Sequence, residues 1–242
     1  MILASAKKQR LIADNYANAD YISFPKRPPH EIDYMNDEEA KRFYIAAETF
    51  PDIKAKTVAE LLLLTGMRRG EVCGLEWDDV DFDADTITVR RAVVTVKGMG
   101  PVTKEPKTRS SSRVICISDH LKQVLTEYKA WYEQYRYDIG DKWLGSNRLF
   151  VKEFGDPIYP STVEFWVDKV LKAAGLPHRS VHSLRHTNIT MQIAAGVPLV
   201  TVAGRAGHAR TSTTTDIYSH FLKSSDKAAA RMLESVFEQA EE

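Results

Sequence analysis

The chain has 242 residues, 43% of them hydrophobic and 27% charged, with a formal net charge of zero. That length supports one sizeable core with at most an appendage, and the balance fits a globular protein rather than a disordered one. No apolar run approaches the ~20 residues needed to span a bilayer, and Met1–Lys8 lacks a secretory layout. Cys73 and Cys116 show no CxxC or metal spacing and sit in apolar patterns, so the expectation is a cytoplasmic protein with two reduced core thiols.

In chain order, residues 1–20 read as part of a helix (Ala4, Lys7, Lys8, Leu11, Ile12) followed by Asn15. Residues 21–32, with Pro25, Pro28 and Pro29, read as an extended linker. Asn36 starts a helix as N-cap, with Glu39 completing a capping box, and this helix runs to about Glu48. A second helix covers Lys54–Leu64 and is ended by Gly66; its Leu61–Leu64 run marks it as buried. A short third helix covers Arg69–Leu75. Thr86–Arg90, Ala92–Val96 and Arg113–Ile117 are alternating or β-branched and predict one small antiparallel sheet, with a turn-rich connection at 97–101. An amphipathic helix follows at Asp119–Tyr137, then one at Ser161–Ala174 with a capping box from Ser161 to Glu164. Helices at His182–Ala195, Pro198–Arg205, Thr213–Phe221 and Asp226–Glu238 complete the chain. The fold class is mostly α with a small antiparallel β-sheet (α+β).

Zero net charge argues mildly against a nucleic-acid partner, but the charge is segregated. Residues 169–215 contain six Lys or Arg, no Asp or Glu, and four of the seven histidines. Residues 97–113 contain five cations against Glu105 alone, while acids gather at 76–85 and in the tail. One face can therefore meet phosphates.

Along the chain lie Thr65-Gly66-Met67-Arg68-Arg69-Gly70-Glu71, then, in the basic stretches, Lys107-Thr108-Arg109-Ser110-Ser111, His182-Ser183-Leu184-Arg185-His186 and Gly207-His208, and finally Tyr218-Ser219-His220. Two arginines, a lysine, two histidines and a late tyrosine are a kit for opening a phosphodiester. Guanidinium forks grip non-bridging oxygens. A phenol oxygen can attack phosphorus, and a lysine can protonate the leaving oxygen. Read singly, each element has a plainer meaning. Arg68 and Glu71 at i,i+3 make a surface ion pair worth under ~1 kcal/mol. His182 and Arg185, also three apart, share one side of a helix start that suits an anion, but a histidine there taken alone is more often a cap or a hydrogen-bonded core group. A tyrosine on an amphipathic helix is usually core.

Together and in this order, the strings resemble the tyrosine recombinase (phage integrase) family, from about residue 33 to the C terminus. The family's boxes read Thr-Gly-x-Arg-x-x-Glu, Lys-Thr-x-x-Ser before a strand, His-x-Leu-Arg-His, Leu-Gly-His and Tyr-Ser-His. This chain departs at Ala206, where the family usually has leucine. The resemblance implies the family's catalytic-domain fold at 33–242, with 1–32 the tail of a missing core-binding domain plus linker.

It implies that Arg68 and Arg185 bind the scissile phosphate with help from His182 and His208, and that Glu71 orients the network. Lys107 is the general acid, with Lys104 a competing candidate, and Tyr218 is the nucleophile. His186 is structural and Leu184 faces the core. Arg69, Lys104, Arg109, Ser111, Arg113, Arg179, Arg205 and Arg210 are candidate DNA contacts. No cofactor or metal is implied. The partners are double-stranded DNA attachment sites, a homotetramer on DNA (monomeric alone), and excision or DNA-bending factors; residues 226–242 are the candidate for a segment exchanged between neighbours. A type IB topoisomerase-like strand-passage enzyme and a non-catalytic DNA-binding relic are the alternatives.

Overall fold

The computed structural model describes residues 2–17, 33–104 and 112–208, and the chain divides into two compact units, 1–31 and 32–242. In the first unit, helix α1 spans Ile2–Lys8. It is shorter than expected, because Arg10 takes a left-handed conformation (φ 59°) that breaks the helix before Leu11 and Ile12. The linker read at 21–32 lies outside the described residues, as do the last two predicted helices, 213–221 and 226–238.

The second unit is built round α3, Ile53–Thr65. Ala55, Val58, Ala59, Leu61 and Leu62 are each at most 1% exposed, and Thr57 and Glu60 are buried as well, so the helix is covered on nearly every side and is central. Four helices surround it: α2 (Asp37–Glu48), α5 (Asp119–Ile139), α6 (Pro160–Ala173) and α7 (Val181–Ala194). The capping box at the start of α2 forms as expected, Glu39 N–H donating to Asn36 Oδ1 at 2.9 Å and Asn36 N–H to Glu39 Oε2 at 3.0 Å. Helix α5 turns Leu121, Val124, Leu125, Tyr128 and Tyr132 inward at helical spacing. The expected cap at Ser161 is displaced: Pro160 occupies the first helical position, where its fixed φ and missing N–H suit it, and Tyr159 is the N-cap. Two shorter helices, α4 (Arg69–Gly74) and α8 (Leu199–Ala206), carry the turns that matter for the site. Ala206 packs with Ile189, Ile193 and Val202 in a small satellite cluster.

The single sheet expected from the sequence is two sheets. Strands β1 (Val80–Asp81), β2 (Thr86–Val89) and β5 (Arg113–Cys116) form one antiparallel sheet, with Val89 opposite Arg113 and Thr86 opposite Cys116. Strands β3 (Ala92–Val96) and β4 (Gly100–Lys104) form a separate hairpin, Ala92 opposite Lys104. The ladder breaks at Arg90–Arg91 because Arg91 turns onto the buried Asp79 carboxylate at 2.7 Å and Glu76 at 2.8 Å. Cys73 is buried, and burial pushes its thiol up to about 12, but Cys116 is exposed. Ile115 takes the inward place on β5, so strand alternation sends Cys116 outward.

Helix α3 ends at Gly66, whose φ of 65° lies in the left-handed region. A Cβ there would stand 2.5 Å from Asn188 Oδ1 on α7. Gly66→Ala is therefore expected to lower stability by at least about 1–2 kcal/mol, read as a shift of the urea unfolding midpoint without a change in slope.

Candidate active site

Glu71 sits in the first turn of α4 and reaches back to the residue that starts it. Arg68 N–H donates to Glu71 Oε2 at 2.8 Å and Arg68 Nη1 to Oε1 at 2.9 Å. The contact is not the surface ion pair that spacing alone suggests, because Glu71 is only 6% exposed. Its second counter-ion comes from β5. Arg113 Nη1 and Nη2 donate to Oε1 and Oε2 at 3.0 and 2.8 Å, a fork on a carboxylate. Burial by itself would raise the Glu71 pKa. The Arg113 fork, the Arg68 N–H and the Arg68 charge outweigh it and hold the carboxyl down at about 2.

Helix α7 supplies the second arginine. Leu184 (0% exposed) faces the core as expected; Arg185 is also buried (2%), while His182, three residues before it, is exposed. Arg185 Nη1 donates to the carbonyl of Gly66 at 2.8 Å and Nη2 to that of Ala206 at 2.6 Å. Arg68 Nη2 donates to the next carbonyl, Gly207, at 3.0 Å. Both guanidiniums therefore meet one turn, the end of α8. Gly207 makes that turn with φ 68°, and His208 N–H closes it on the Ala203 carbonyl at 3.0 Å.

The histidines lie in the field of these cations. His208 is held down to about 4, first by burial and then by the Arg185, Arg68, His186 and Arg113 charges. His182 is lowered by the protein packed round its ring and by Arg185 and Arg68. At neutral pH each ring is uncharged, able to donate from one nitrogen and accept at the other. His186 stacks edge-on against His182, ring centroids 4.6 Å apart. An open cleft of about 650 Å³ adjoins the cluster, lined by Arg68, Arg69, Glu71, Glu164 and His182 with part of β3.

The structure thus brings together Arg68, Glu71, His182, Arg185 and His208. Lys107, Tyr218, Arg109, Ser111 and Arg210 lie outside the described residues. Lys104 is exposed at the end of β4. The candidate DNA contacts divide. Arg69 pairs with Glu164 across the cleft, which is what Glu164 does in place of capping Ser161. Arg205 stays partly exposed and donates to the Cys116 carbonyl at 3.1 Å. Arg113 and Arg179 do not face outward. Arg113 is 7% exposed on Glu71, and Arg179 (16%) is held by Glu39 at 2.9 Å and by Asp33. Their charge is plain from residue type but their partners are not, since Glu71 and Arg113 lie 42 positions apart and Glu39 and Arg179 lie 140 apart. Among the described residues no three His, Cys, Asp or Glu side chains are grouped to hold a metal.

Because the folded-state pKa of Glu71 is depressed from 4.5 to about 2, its contribution is present above pH ~4.5 and fades as pH falls toward 2. It is on the order of 3 kcal/mol. Glu71→Gln is expected to flatten that part of the acid unfolding curve, measured as stability against pH by urea titration.

Comparison with known proteins agrees with the geometry. Residues 33–225 match the phage integrase family. The chain is 31% identical over 241 residues to a "Tyrosine recombinase XerC-like" protein of Caldanaerobacter subterraneus, covering 93% of this chain and 61% of that protein. It is 27% identical over 209 residues to the ICEBs1 integrase of Bacillus subtilis, covering 85% and 55%. The chain thus spans under two thirds of these relatives. Among solved structures it resembles XerA recombinase (27% identity, TM-score 0.65, 84% of this chain and 66% of that one). It shares the fold of the Tn1549 transposon integrase solved with a circular intermediate DNA (21% identity, TM-score 0.71, 95% and 75%). A family match over most of the length, on a fold that solved recombinases share, places the chain: it belongs to the phage integrase family, the tyrosine recombinases.

Proposed function

We propose that this chain is the catalytic part of a site-specific recombinase that cuts and rejoins duplex DNA through a 3′-phosphotyrosyl intermediate. The observation that supports it most is the convergence of both box arginines on the Ala206–Gly207 turn, with His208 next to it. A phosphate there meets two guanidiniums and two neutral imidazoles, which suits a transition state that builds charge on non-bridging oxygens.

In this reading the Tyr218 oxygen attacks phosphorus as its phenolic proton passes to solvent water. The 5′ oxygen of the broken bond leaves and takes a proton from Lys107, with Lys104 the alternative donor. A 5′ hydroxyl from a partner duplex then reverses the step. The bond energy is kept in the protein–DNA ester, so neither ATP nor a metal is needed. The substrate is a double-stranded attachment site, met by a tetramer of chains, with excision or bending factors as further partners. Residues 1–32 would be the end of a core-binding domain and its linker, and 33–242 the catalytic domain.

The test is covalent capture. The chain is incubated in EDTA with a randomised library of nicked duplexes, and protein-linked strands are recovered under denaturing conditions and sequenced. A covalent adduct with one enriched core is expected, lost in Tyr218→Phe and formed about 10²–10³-fold more slowly in Arg185→Lys. No adduct, or one that survives Tyr218→Phe, defeats the proposal. Relaxation of a one-site supercoiled plasmid without two-site exchange would favour the topoisomerase-like alternative.

A further inference from the structure

The recombinase reading leaves one buried arginine without a role. Arg113 is 7% exposed, so it is poorly placed to bind the DNA backbone. Its side chain points in three directions at once. Nη1 and Nη2 hold the two oxygens of Glu71, and Nε donates to the Arg205 carbonyl at 2.7 Å. It also packs against the turn: a Cβ on Gly207 would stand 2.8 Å from Arg113 Nη1.

The charges explain why this matters. Arg68, Glu71 and Arg113 form a chain of plus, minus and plus with one net positive charge. Without Arg113, the buried Glu71 carboxylate would keep Arg68 as its one close counter-ion, and the Arg68 charge would be cancelled where an anion must be met. Lysine could offset the charge at one point but could not reach both carboxylate oxygens and the carbonyl.

We propose that Arg113 is a positioning residue for the cleavage step. It neutralises Glu71 so that the Arg68 charge is available to phosphate, and it fixes the turn that carries His208. This rests on the reading that Arg68 and His208 meet the scissile phosphate. A residue that merely staples β5 to α4 and α8 would be missed equally whether or not Glu71 keeps its charge.

The experiment uses the full chain as Arg113→Met, Arg113→Lys and the double variant Glu71→Gln/Arg113→Met, with melting temperatures as the folding control. Two readouts are taken: the adduct rate on the captured duplex, and affinity for inorganic phosphate from the imidazole NMR signals of His182 and His208. Arg113→Met is expected to slow the adduct about 100-fold and to weaken phosphate about tenfold, with Arg113→Lys between it and the parent chain. The double variant should recover most of both losses, because a neutral pair leaves Arg68 uncancelled.

If Arg113→Met folds and matches the parent in both readouts, or the double variant is no better than Arg113→Met, Arg113 is a staple and the proposal fails. Should Arg113→Met not fold, the double variant decides: within about tenfold of the parent supports the proposal, and about 100-fold slower overturns it. If the parent forms no adduct but phosphate affinities keep this order, the recombinase reading fails and the role of Arg113 at the anion site stands.

Discussion

The site depends on one carboxylate shared by two guanidiniums. Glu71 is nearly inaccessible to water, and an ion placed there would be strongly unfavourable without partners on both oxygens. Arg68 comes from the residue just before α4 and Arg113 from β5, so the charge can be buried only if those segments meet. Arg113 carries the connection on to α8 through the Arg205 carbonyl. Three elements that no hydrophobic pattern would bring to one point are thereby held there.

The second layer of control is main-chain. The two arginines are aimed by the carbonyls of Gly66, Ala206 and Gly207, which belong to two helix ends that close in left-handed glycine turns. Carbonyl acceptors fix the direction of a guanidinium without removing its charge. Burial first, and then the positive field that results, hold the His182 and His208 pKa values down, so the cluster divides its work: arginines supply charge and imidazoles supply directed hydrogen bonds.

Much of the scaffold was legible because local chemistry decides it. The Asn36–Glu39 box, the buried Leu61–Leu64 run and the amphipathic stripe of α5 each depend on neighbours within a few positions. Arg68, Glu71, His182, Arg185 and His208 were legible as a set because their types and order are distinctive. What escaped was set by contacts distant in sequence. The split into two sheets depends on Arg91 finding Asp79, and the inward turn of Arg113 and Arg179 depends on Glu71 and Glu39. Ser161 failed as a cap for a local reason, since Pro160 before it already fills the first helical position. The exposure of Cys116 follows from strand phase, which its apolar neighbours did not reveal.

The Ala206 position shows what it means for a polypeptide to bind through its amide groups. The departure from leucine shrinks a hydrophobic cluster, yet the oxygen that receives Arg185 is one every amino acid has. Side-chain drift at this place is therefore nearly silent for the chemistry. An inserted or deleted residue in the same loop would displace two acceptors at once, so lineages of this protein should vary in letters here but not in spacing.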